Sequence, residues 1–152
     1  MNMTRKAAVA LGIVALLGAA AFGACGSEDS GSQESEVLSA ITILDGAGLH
    51  GIDESINEEN EIPADAGTVA LKMQAVVELT EWPSDVEDAA DQLAETFSEF
   101  AAAVDGDSPD MTRAGELAAQ AHDEEHDLSH DVWAWLQEEA GMDVAEAGDH
   151  EE

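Results

Sequence analysis

From Ser35 onward the apolar residues recur at spacings of three and four rather than two, the period of amphipathic helices. Four segments follow from that pattern. The first, Ser35 to Ile56, puts Val37, Leu38, Ile41, Leu44, Leu49 and Ile52 on one arc, and Gly46 and Gly48 weaken and bend it. Asn57 to Ile62 reads as an acidic loop. Pro63 then opens a second segment, Ala64 to Trp82, with Val69, Met73, Val76, Val77 and Thr80 on one side. After Pro83, Ser84 and Glu87 stand at capping-box spacing. The third segment runs on to Val104 and turns Val86, Ala90, Leu93, Phe97, Phe100, Ala101 and Val104 inward. Gly106 suits a left-handed stop. Ser108 and Pro109 begin the fourth segment as N-cap and first helical residue, and it reaches Glu139 ahead of Gly141. Nothing alternates like a strand over a useful length. Four amphipathic helices with short connections predict an all-α, up-down-up-down four-helix bundle.

The beginning of the chain obeys a different rule. Arg5 and Lys6 precede an apolar run from Ala7 to Phe22, shorter than the ~20 residues a membrane span needs. Phe22, Gly23, Ala24 and Cys25 close it, and Gly26 to Gln33 is small and polar. These features resemble a bacterial lipoprotein precursor, whose lipobox ends at the cysteine that becomes the lipidated first residue. Phe22 stands where that pattern usually has Leu. The resemblance implies a signal peptide over 1–24, a lipid on Cys25 and an extracytoplasmic protein anchored to the membrane through that lipid. Residues 25–34 then form a tether, 35–140 the bundle and 141–152 an acidic tail that carries His150. Ordinary secretion, with cleavage after Ala19 to Ala21, is the alternative.

Charge narrows the partners. Once Arg5 and Lys6 leave with the signal, only Lys72 and Arg113 face 35 acidic residues. Such a surface repels nucleic acid and gathers cations. It also suits a salt-adapted exported protein, because salt screens its self-repulsion. Cys25 is the only cysteine, so no disulfide and no thiolate-rich metal site can form within the chain.

The most chemical stretch lies in the fourth segment, where His122, His126 and His130 repeat every four residues among carboxylates. On a helix they stack along one flank. His122 and His130 are ~12 Å apart along the axis, so all three cannot share one ion, but an i, i+4 pair can. Glu125 falls in the middle of the apolar face set by Ala114, Leu117, Ala121, Leu128, Val132 and Leu136. A buried carboxylate needs a partner, a proton or a cation. Asp45 on the first segment and Thr80 on the second are the other polar intrusions. At 1.5 Å per residue, Asp45 and Glu125 come within about one turn of the same height.

The expected metal ligands are therefore His122, Glu125, His126 and Asp45, with His50, His130 and Thr80 as further candidates. His50 joins only if the glycines roll it inward, and His130 belongs to the surface end of the ladder. Imidazole with carboxylate suits Zn, Cu(II), Ni or Fe. Each residue has a plainer reading. The ladder can be the solvated flank of an acidic helix, and Glu125 can pair with Lys72 or a protonated His122. Trp82, Trp133 and Trp135 read as packing at helix ends.

The function expected is a lipid-anchored bundle that binds a divalent transition metal. The alternatives are a non-catalytic, salt-adapted envelope or partner-binding module, and a b-type haem bundle using Met73, Met111 and His122. Covalent haem attachment is excluded, since no Cys-x-x-Cys-His exists. No nucleophile elbow, phosphate-binding loop or catalytic triad pattern is legible, and no protein partner is indicated.

Overall fold

The computed structural model describes residues 30–106 and 108–141. The expected signal peptide, the expected lipobox with Cys25, the first part of the expected tether, and residues 142–152 with His150 lie outside the described residues. Among those described the protein is all-helical, with α1 (Ser30–Asp45), α2 (Leu49–Asn57), α3 (Ala66–Leu79), α4 (Glu87–Val104) and α5 (Met111–Glu139). No described helix is long and apolar enough to cross a membrane.

The first expected segment is two helices. Gly46 and Ala47 close α1 by donating to the Thr42 and Leu44 carbonyls, and Gly48 adopts φ 75°, ψ 30° ahead of α2. That left-handed conformation costs any residue with a Cβ about 1–2 kcal/mol, so glycine supplies the corner. The corner changes the roll of α2 relative to α1. At the other end, α1 starts at Ser30, inside the stretch read as tether, and Gln33 Nε2 donates to the Glu81 carbonyl at 3.2 Å.

Two expected caps are replaced. Ser84 does not cap a helix; its hydroxyl lies 3.4 Å from Asp85, and α4 begins after a turn, with Val86 as its N-cap. The cap of α5 is Asp110 rather than Ser108, because its carboxylate accepts the Arg113 backbone N–H at 3.1 Å.

The core follows the helical period. Phe97 and Phe100 of α4 are its largest fully buried side chains, joined by Ile41, Leu44, Leu93, Leu117, Leu128, Val37 and Val132. Packing pairs α3 with α4, α4 with α5, α5 with both α1 and α2, and α1 with α3. Small residues draw α3 against α4. Ala66 and Ala70 have no exposed surface, Ala90 almost none, and a Cβ on Gly67 would press on Val104. The sequence period missed Ala66 and Ala70 and overrated Leu38, which is 40% exposed.

Candidate functional site

Helix α5 runs 29 residues and carries most of the chemistry-bearing side chains. On its apolar face Glu125 is buried, as its position between Ala121 and Leu128 requires. Burial first, and then a hydrogen bond and repulsion from Asp45, raise the Glu125 carboxyl to about 7. Asp45, at the end of α1, also accepts the Ser129 hydroxyl at 3.0 Å. Asp45, Glu125 and Ser129 thus form one polar knot between α1 and α5. Glu125 Oε1 has no hydrogen-bond partner in the structure. Asp45, rather than Lys72 or His122, is the neighbour that governs this carboxyl.

The imidazoles form a second group. The His122 ring centre lies 4.8 Å from that of His126 and 5.1 Å from that of His50 on α2. The first separation follows from i, i+4 spacing on one helix. The second needs the glycine corner, since on an unbroken helix His50 would project opposite the apolar arc. Asp53, one turn beyond His50, places Oδ2 at 3.6 Å from His122 Nδ1. Both side chains are largely buried, with 18% of His122 and 23% of Asp53 exposed. Asn57 then donates to Asp53 Oδ1 at 2.6 Å and to the Gly115 carbonyl of α5 at 3.0 Å.

The expected ligand set is therefore divided. His122 adjoins His50, Asp53 and His126, whereas the neighbour that acts on the buried Glu125 carboxyl is Asp45. Thr80 donates to the Val76 carbonyl at 2.7 Å and completes the end of its own helix. His130 is exposed, and its nearest acid is its chain neighbour Asp131 at 3.5 Å. As the side chains stand, no group of three or more His, Cys, Asp or Glu among the described residues is arranged to hold a metal ion.

Asp53, Asn57 and Gly115 escaped the sequence reading. A signal was present, because His50, Asp53 and Asn57 follow one another at three and four residues and share a helix face. Nothing in the sequence said that this face meets α5. On another flank, Glu124 accepts from Gln92 and Gln120, and Gln120 also donates to the buried Thr96 hydroxyl. Arg113 pairs with Glu99 and Glu116. Trp82 Nε1 donates to the Val77 carbonyl at 2.9 Å, so this ring closes a helix end.

No protein-family model matches the chain, and neither the curated proteins nor the solved structures searched include a match to it. The fold and the side chains themselves define its class, an all-helical protein with an imidazole–carboxylate seam.

Proposed function

We propose that this chain is a lipid-anchored, extracytoplasmic bundle of four arms running up-down-up-down, the broken α1–α2 pair serving as the first arm, and that it binds a divalent transition metal at the α2–α5 seam. One observation carries the metal reading: three imidazoles from two helices lie ring beside ring, with centres 4.8 and 5.1 Å apart. Two imidazoles on one tetrahedral ion, with metal–nitrogen bonds of 2.0–2.1 Å, have ring centres about 5 Å apart. His50 and His126 are exposed, so both can change rotamer to aim a nitrogen at a shared ion. The donor set is imidazole with a carboxylate behind it, and it lacks thiolate, which suits Zn, Cu(II), Ni or Fe. The acidic surface raises the local concentration of such ions. Asp45 and Glu125 leave the ligand set and serve the α1–α5 contact.

Calorimetric titration of the protein with Zn²⁺ tests the reading. One ion binds per chain, and affinity falls at least tenfold in His50→Ala, His122→Ala and His126→Ala but is unchanged in His130→Ala. Binding also weakens in acid, because protons compete for the imidazoles. Equal, weak binding in all five proteins would overturn the site. The anchor is tested separately: Cys25→Ser releases the protein from the membrane fraction.

A further inference from the structure

The seam holds one arrangement that the ligands alone do not require. Asp53 has its two carboxylate oxygens engaged in different directions. Oδ1 accepts from Asn57 at 2.6 Å, and Oδ2 faces His122 Nδ1 at 3.6 Å. Asn57 Nδ2 also donates to the Gly115 carbonyl of α5, so both amide hydrogens are used and the side chain cannot turn without losing a bond. Gly115 is itself buried, and a Cβ there would strike the Asn57 side-chain oxygen. A missing side chain on α5 therefore makes room for the amide that holds the carboxylate on α2.

Resting on the metal reading of this seam, we propose that Asp53 is the positioning residue for His122, selecting the tautomer that leaves Nε2 free for the ion. A neutral imidazole carries one hydrogen, on one of its two nitrogens. An ionised carboxylate can only accept, so Asp53 beside Nδ1 favours the hydrogen there and leaves the lone pair on Nε2. A small turn of the ring shortens 3.6 Å to a hydrogen bond, and ligation through Nε2 holds it there. Because both side chains are largely buried, water competes poorly for that bond. Asp53 itself need not touch the ion. The same carboxylate also fixes the orientation of the His122 ring as a ligand.

The experiment reads the tautomer and the affinity separately, on the full chain. Imidazole ¹⁵N spectra of the metal-free protein above neutral pH show His122 as the Nδ1–H form. Asp53→Asn abolishes that preference while the backbone spectrum of the other helices is kept. Zn²⁺ affinity falls 10–100-fold in Asp53→Asn, and Gly115→Ala, which touches no ligand, lowers it through the displaced Asn57. His122 found as Nε2–H in the wild type overturns the proposal even if Zn²⁺ binds. Unchanged affinity in Asp53→Asn overturns it as well. A wild type that binds no Zn²⁺ yet holds His122 as Nδ1–H refutes the metal reading and leaves the Asp53–His122 pairing supported.

Discussion

The α3–α4 interface and the α2–α5 seam are built from opposite materials. The first is close and dry: Ala66, Ala70 and Ala90 let the helices approach, and Phe97 and Phe100 fill the space beside them. The second carries His50, Asp53, Asn57 and His122 where a bundle of this size could have used more leucine. Burying polar groups contributes little net stability even when every bond is made. The apolar contacts, at this seam and at the dry interface alike, are what hold the fold. The polar groups gather on α2 and the middle of α5, although Leu49, Ile52, Ile56, Leu117 and Leu128 of the same helices also belong to the apolar core.

Substitutions can break that division. The largest effect is expected from Phe97→Ala, which opens a cavity in the dry half and costs about 3–5 kcal/mol in urea unfolding. Zn²⁺ affinity at a temperature where the variant remains folded should be unchanged.

Next comes Glu125→Gln, whose effect depends on pH. Glu125 titrates at 4.5 in the unfolded chain and at about 7 in the folded one. Between those values the folded protein holds a proton that the unfolded chain has released, so stability falls as pH rises and levels off above 7. At about 1.4 kcal/mol per pH unit, the span amounts to up to about 3 kcal/mol. The glutamine variant lacks this component. It should gain on the wild type in urea midpoints at pH 8.5, and the gain should disappear near pH 4.5. A parallel pair of curves would show that Glu125 is not buried against Asp45.

Gly48→Ala should have the smallest effect on stability, about 1–2 kcal/mol for a left-handed residue with a Cβ. It bears most directly on the seam, because His50 and Asp53 follow the corner and meet His122 on α5. Zn²⁺ affinity should drop under conditions where the variant remains fully folded.

Much of the helical content was legible along the chain. The stop at Val104 ahead of Gly106, the reach of α5 to Glu139 and the inward face of α4 all follow from spacing and from residues that end helices. Glu125 was legible as a buried acid, since a carboxylate between Ala121 and Leu128 has nowhere else to point. Its neighbour Asp45 comes from a count of helical rise down from Ile56, a count that assumes one continuous helix where the structure has a break between Asp45 and Leu49. Capping was less legible: Ser84 with Glu87 has the right spacing without forming the box, and Asp110 outcompetes Ser108. A hydroxyl or carboxylate caps only if the backbone before it leaves the helix there, and spacing does not report that.

The division of the site had no such local signal. Local spacing was enough for a helical chain with a buried acid at Glu125, a histidine pair one turn apart on α5, and glycines that interrupt the first apolar arc. Periodicity and glycine chemistry act over a few residues, and those few residues are adjacent in the chain. Long-range packing set the rest: the glycine corner turns α2 against α5, so that His50 and Asp53 meet His122 while Asp45 neighbours Glu125. That choice depends on how far α2 turns at Gly48 and on which surface it then buries. A rotation about one glycine shifts every side chain beyond it together, and it is packing against α5 that selects the angle.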